Sequence, residues 1–380
     1  MDNILLSAAL SFIITYFCIP AIIKVAIQKK LYDEPDERKV HTKVIPTLGG
    51  LGIFVGFILA LLLGVNFAQN PGFQFFAAAF IIIFFIGIKD DIVVISPLKK
   101  LIAQLISAAI IIHFGGVRLD NMYGFFGINE VPYIFSLVLT AFTMIVITNA
   151  FNLIDGVDGL AGGIGLVTSC IFGTVFYSTS QLALSVMAFS FAGGLFAFLI
   201  YNFSPAKIFM GDTGSLLLGT VSSILVIEFI NTIGRGVEGI PAQAAPAIGI
   251  AILAVPLFDT LRVFTLRILS RRSPFSPDRT HIHHYLLDLG FSHRKIAISS
   301  AIATLFFSAL AYAMRYFNPL ITVITMLAIA LAITGVIIHY RKKKKITTNR
   351  TEIKVQNLIP KFAKSPITKI VREKELVEAD

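Results

Sequence analysis

Ile208-Phe209-Met210-Gly211-Asp212-Thr213-Gly214-Ser215 opens an apolar run that continues to Ile233. That run is about as long as a helix must be to cross the roughly 30 Å hydrocarbon core of a bilayer. Its entrance is a carboxylate set between glycines. Polar, glycine-rich backbone at membrane depth is tolerated only where it is buried in protein or lines a cavity. An ionisable group there marks a functional site by default. The stretch predicts a membrane helix with a site at its mouth, and Asp212 at the centre of that site.

Similar runs recur along most of the chain, at about 4–27, 48–67, 73–88, 98–115, 132–148, 160–178, 182–200, 214–233, 245–267, 297–314 and 319–339. Only 14% of the residues are charged, against about 25% in soluble domains. The fold class expected is an all-α polytopic membrane protein of about eleven transmembrane helices. The first run is too long for a signal-peptide core and has no basic residue before it, so it reads as a retained helix. Cys18 and Cys170 lie inside apolar runs and read as small buried hydrophobes.

Orientation follows from the loop cations. Lys29, Lys30, Arg38, Lys39, Lys43, Lys89, Lys99, Lys100, Lys207, Arg271, Arg272, Arg279, Arg294 and Lys295 fall on one side; Arg118, Arg235 and Arg315 fall on the other. The basic side is the cytoplasm, which puts the N-terminus outside and the C-terminus inside. Residues 1–340 read as a transmembrane catalytic domain. Residues 341–380, opening with Arg341-Lys342-Lys343-Lys344-Lys345, read as a basic cytoplasmic tail that holds anionic lipid. The net charge of +10 belongs to these loops and this tail, not to nucleic-acid binding.

With this topology five polar segments from distant parts of the chain face the cytoplasm together, which suggests one cavity. Asp90-Asp91 are adjacent carboxylates beside a membrane, costly unless they hold a cation or a proton. In Asn149-Ala-Phe-Asn152-Leu-Ile-Asp155-Gly-Val-Asp158-Gly159-Leu160, four polar groups recur every three positions. On a helix each step turns about 300°, so they fan over one half of the cylinder and can surround a ligand. Such hard oxygen donors suit Mg²⁺, which takes one or two carboxylates plus substrate phosphates. Arg38 to Gly50 mixes cations with Pro46, Gly49 and Gly50 before a helix start, as phosphate recognition does. The segment Pro277-Asp278-Arg279-Thr280-His281-Ile-His283-His284, with Asp259 and Arg262 upstream, invites a zinc reading. Neighbouring arginines repel a metal, and His281, His283, His284 and Arg279 suit a polyphosphate or nucleotide better. A transporter reading would need charged groups near the bilayer midplane and paired broken helices; here the acidic groups gather at helix ends.

At these residues the chain resembles the polyprenyl-phosphate N-acetylhexosamine-1-phosphate transferases, over residues 1 to about 340. Asp90-Asp91, the Pro46…Gly49-Gly50 turn, Asn149–Leu160, Met210-Gly211-Asp212 and the His281–His284 loop match in order and spacing. The resemblance implies transfer of an N-acetylhexosamine-1-phosphate, GlcNAc-1-phosphate first, from a UDP-amino sugar to undecaprenyl phosphate. UMP would be released, as the first membrane step of an envelope polysaccharide in the bacterial cytoplasmic (inner) membrane. It implies Mg²⁺ on Asn152 and Asp212, with Mn²⁺ as a substitute, and Asp90 and Asp91 as the pair that activates the lipid phosphate. Asp155 and Asp158 match residues near metal and nucleotide, Lys43 a cation on the uridine diphosphate, and His281 with its neighbours the His motif; Asn149 and Asp259 join the substrate-binding set. A homodimer is admitted. The third acidic position common in the family is Val94 here, which leaves the pair but removes that carboxylate. The phospho-MurNAc-pentapeptide branch follows its His cluster with Phe-Glu, whereas Tyr285-Leu286 stand here; that branch is the alternative.

Overall fold

A computed structural model describes residues 2–33, 45–273 and 279–363. In chain order it comprises α1 (Asp2–Gln28), β1 (Tyr32–Asp33), β2 (Ile45–Pro46), α2 (Gly49–Gly64), α3 (Gly72–Ile92), α4 (Pro97–His113), β3 (Asn121–Phe125), β4 (Ile128–Glu130), α5 (Tyr133–Ile154), α6 (Leu160–Ser178), α7 (Leu182–Asn202), α8 (Gly211–Gly234), α9 (Ala245–Ile252), α10 (Ala254–Leu269), α11 (Ile282–Asp288), α12 (His293–Ala313) and α13 (Pro319–Ala363). Two short antiparallel pairs, β1–β2 and β3–β4, are the described strands. Everything else regular is helix, because a chain in lipid must satisfy its backbone polar groups within each segment.

Each expected span coincides with a helix, but they are not equal. Eight helices are long and apolar enough to cross a membrane, and α9 with α10 makes a ninth if the bent pair is one span. Of the remaining expected spans, α2 and α4 run only 16 and 17 residues. The span expected over 245–267 is broken at Leu253 and bends by 71°. Pro256 explains the position of the break. It has no N–H to offer the carbonyl of Ile252, and its ring crowds that carbonyl; α9 ends at Ile252.

The bundle is organised around α8, which is buried along nearly its whole length and packs against α2, α3, α5, α6 and α9. Small residues permit this, as they do generally where apolar helices meet in lipid. A Cβ on Gly219 would lie 2.4 Å from Thr148 Cα, and one on Gly165 would meet Leu218 at 2.5 Å. The outward faces carry large exposed apolar side chains such as Leu63, Ile134, Phe142, Leu269 and Ile302. Such extensive apolar exposure suits an acyl-chain environment rather than water. Both cysteines are free and half-buried. The composition change after Tyr340 is not a structural break, since α13 runs through it as one helix.

Candidate active site

Asp212 is the second residue of α8, and three glycines bring other helices onto it. The N–H groups of Gly49 and Gly50, at the start of α2, donate to the carbonyls of Phe209 (2.9 Å) and Met210 (2.8 Å). A Cβ on Gly50 would lie 2.1 Å from the Gly214 nitrogen, and one on Gly87 of α3 would lie 2.5 Å from Thr213 Cα. Gly211 adopts φ +71° with Thr47 O pressed against it, a left-handed conformation that glycine takes without strain. The starts of α2 and α8 and the end of α3 therefore meet backbone to backbone.

Asp91 completes this junction. One of its oxygens accepts the Asp212 N–H (2.6 Å); the other accepts the Thr213 N–H (3.0 Å) and the Thr213 hydroxyl. Negative charge is stabilised at a helix N-terminus by its unpaired N–H groups and dipole. The Asp91 carboxylate thus fixes the start of α8. Its neighbour Asp90 faces a different partner: Oδ1 accepts the Ile95 N–H (2.8 Å), and Oδ2 pairs with Lys100 Nζ at 2.6 Å. Lys100 also donates to Asp212 Oδ2. In the sequence Lys100 stands only as a topology charge. Its position four residues into α4, across from Asp90 and Asp212, depends on helix packing that no local motif displays.

Asn152 reaches the same point. Its Nδ2 donates to Asp212 Oδ1 (3.0 Å) and to Ser215 Oγ (2.9 Å). Asn149, one turn deeper, is engaged with the buried Gln104 through Nδ2–H to Oε1 at 2.8 Å. The expected half-cylinder fan stops there, because α5 ends at Ile154 and Asp155 takes φ −74°, ψ 60°. Asp155 stands in the turn, its carboxyl pushed up to about 7 by burial and then by the charges of Asp212, Asp91 and Asp158. Asp158 lies apart: Oδ2 accepts the Ala206 N–H (3.2 Å), and Oδ1 faces His293 Nδ1 at 3.2 Å. It ties the turn to the 203–210 loop and to the start of α12. Asn202, also absent from the sequence reading, accepts the Gly159 N–H (2.8 Å) and donates to Ile208 O (2.9 Å), so it clamps together the two loops that carry the motifs.

The His segment forms a second cluster. Buried Asp259 on α10 takes His281 Nδ1 at 2.7 Å, Arg262 Nη2 at 2.9 Å and the Ile282 N–H at 3.0 Å. His281 is thereby held with Nε2 as its other ring nitrogen. Its ring lies parallel to that of His283, with centroids 5.4 Å apart. His283 rests on Gly156, where a Cβ would be 2.6 Å from Nε2, so the Asn–Asp turn and the His helix touch. Burial, and then the proximity of His284, push the His283 imidazole down to about 3; it is neutral at physiological pH. His284 is lowered too, by burial and by the Arg279 charge. Arg279 is exposed. Lys43 lies outside the described residues. Beside this cluster runs an apolar groove of about 420 Å³ between α10, α12 and α13, lined by residues such as Leu257, Phe307, Met326 and Ile337, with Asp259 and His283 at its polar end.

The first cluster suits a divalent cation. Asp90 and Asp212 share Lys100, and the Asp155 carboxyl feels the charges of Asp212 and Asp91, leaving a surplus of negative charge. Among the described residues no three His, Cys, Asp or Glu form a complete metal cage, so phosphate oxygens of a substrate would have to finish the shell, as Mg²⁺ sites allow.

Residues 73–230 match glycosyl transferase family 4. The chain is 34% identical over 324 residues to the probable undecaprenyl-phosphate N-acetylglucosaminyl 1-phosphate transferase of Bacillus subtilis, covering 83% of this chain and 87% of the relative. It is 31% identical over 285 residues to the undecaprenyl-phosphate alpha-N-acetylglucosaminyl 1-phosphate transferase of Yersinia pestis (74% and 76% covered). It is 32% identical over 350 residues to the decaprenyl-phosphate N-acetylglucosaminephosphotransferase of Mycobacterium leprae (85% and 86%). The chain is a multi-pass membrane protein that belongs to glycosyl transferase family 4, among the polyprenyl-phosphate N-acetylhexosamine-1-phosphate transferases.

Proposed function

We propose that the protein transfers GlcNAc-1-phosphate from UDP-GlcNAc to a polyprenyl phosphate at the cytoplasmic face of a bacterial inner membrane. The observation that carries this reading is the meeting of Asp212, Asn152, Asp90 and Lys100 at one end of the helix bundle. An oxygen of the acceptor phosphate attacks the β-phosphorus of the donor. A new P–O bond forms, the bond to the bridging oxygen breaks, and that oxygen leaves with its electron pair as UMP. Phosphoryl transfer asks mainly for positioning and charge neutralisation. A phosphate monoester has its second pKa near about 6 and is largely dianionic at neutral pH, so no base need remove a proton.

Asp212 and Asn152 would hold Mg²⁺, which when bound neutralises the diphosphate and aligns its oxygens. Lys100 adds a second positive charge, oriented by Asp90. Asp91 keeps the start of α8, and with it Asp212, in place. His281, steadied by Asp259, offers Nε2 to the donor's phosphates, and Arg279 adds an exposed cation beside it. The apolar groove gives a prenyl chain a path at membrane depth that ends at this polar end.

The test is to incubate purified protein with undecaprenyl phosphate, Mg²⁺ and radiolabelled UDP-GlcNAc, with UDP-MurNAc-pentapeptide in a parallel arm. The expected result is butanol-extractable label and stoichiometric UMP from UDP-GlcNAc. Label only from the pentapeptide donor would reassign the sugar. No labelled lipid from either, in folded protein, would remove the transferase reading.

A further inference from the structure

The last membrane helix does not end at the membrane. Helix α13 continues to Ala363 for a total of 45 residues, roughly 68 Å at 1.5 Å per residue. Where its apolar stretch stops, Arg341 turns onto α11, the seven-residue helix that carries His283 and His284. Its Nε and Nη2 both donate to Asp288 Oδ2, at 2.7 and 2.6 Å. Its guanidinium lies over the Tyr285 ring, 4.1 Å from the centroid. The same ring has Arg262 at 5.2 Å. Arg262 in turn donates to Asp259 and to the carbonyl of Thr280, and Asp259 holds His281. An unbroken set of contacts runs from Arg341 through Tyr285, Arg262 and Asp259 to His281. One turn further along α13, Lys344 lies against the loop after α11: a Cβ on Gly290, which has φ +92°, would sit 3.3 Å from Lys344 Nζ.

A seven-residue helix cannot hold its own geometry in water, since isolated helices that short are marginal. Asp259 fixes the N-terminal end of α11, and Arg341 holds the other end through Asp288 and Tyr285. We propose that Arg341 is a positioning residue for the His281–His284 segment, so that α13 is part of the donor-binding machinery and not only an anchor with a charged tail. This rests on the transferase reading, with the His segment binding the donor's phosphates. An ammonium in place of the guanidinium keeps the charge but loses both the fork onto Asp288 and the planar stack on Tyr285.

The test measures KM and kcat for both substrates in wild type, R341A, R341K, K342A and the exchanged pair D288R/R341D, with UDP binding measured directly on each purified protein. Loss of a half-exposed ion pair together with a cation–π contact should raise KM for UDP-GlcNAc, and Kd for UDP, about fivefold in R341A. KM for undecaprenyl phosphate should stay within twofold, R341K should resemble R341A, K342A should resemble wild type, and the exchanged pair should recover part of the loss. R341K or R341A matching wild type would overturn the proposal. So would KM rising equally for both substrates, or K342A matching R341A, which would make the tail a source of charge alone. A wild type that neither turns over UDP-GlcNAc nor binds UDP would remove the functional reading itself, and this inference with it. An active wild type with an indifferent Arg341 removes only the inference.

Discussion

Lys100 is the positive charge between Asp90 and Asp212. Without it two carboxylates face each other in a site that, on the proposed function, also receives a diphosphate. Lys100→Ala should therefore lower kcat on the order of a hundredfold or more, the scale on which a preorganised charge acts in a site shielded from water; steady-state transfer kinetics check this. Asp155 makes a prediction about pH. Its folded value of about 7 lies above the ordinary 3.8, so folding favours the protonated form. The unfolded chain sheds that proton near pH 4 and the folded chain near pH 7. Its contribution to stability is full below about pH 4 and is lost as pH rises toward 7. In EDTA, wild type should lose melting temperature relative to D155N between pH 5 and pH 8. A constant difference between the two proteins across that range would show that Asp155 is not the crowded carboxyl described here.

Among the helices, the close contacts at α8 decide whether Asp212 is presented at all. Gly50→Ala would drive a methyl to within 2.1 Å of the Gly214 backbone. Backbone cannot swing aside as a side chain can, so α2 and α8 must separate. The expected cost is about 1–3 kcal/mol of stability, with loss of transfer as Asp212 moves away from Lys100. Gly163→Ala is the control. A Cβ there meets nothing within 4 Å, and alanine is the better helix former, so thermal melting and activity should be unchanged or slightly improved. Equal effects of the two substitutions would contradict the packing account. The break between α9 and α10 belongs to this scale as well: it turns α10 away from the line of α9, and α10 carries Asp259 and Arg262 to the His segment.

For the whole molecule, the order of helices and the gathering of polar segments at one end are both legible in the sequence. Length and apolarity are enough to locate membrane helices. Asp212, Asn152 and Asp90 are legible as well, since a polar side chain at the end of such a run has few bland explanations. Other features depend on packing between distant segments and leave no local signal. Lys100 looks like any loop cation until α4 is laid beside α8. Asp91 is indistinguishable from Asp90 until one is seen to cap a helix and the other to hold a lysine. Asn202 and His293 act on loops far from them in sequence. The bend at Leu253 had a visible cause in Pro256, but a proline within an apolar run does not by itself announce a break, as Pro20 inside the continuous α1 shows.

The proposed function rests on Asp212 as the organiser of a cation-dependent phosphoryl-transfer site. Its most direct test is the rate of label transfer from UDP-GlcNAc to undecaprenyl phosphate by wild type and D212N, each titrated with Mg²⁺ after EDTA treatment. The substitution keeps the shape of the side chain and removes its charge. Wild type should be silent in EDTA and restored by Mg²⁺. D212N, with its melting temperature retained, should fall at least about a hundredfold at every Mg²⁺ concentration. A D212N rate within a few-fold of wild type, or a wild-type rate indifferent to EDTA, would contradict this role of Asp212.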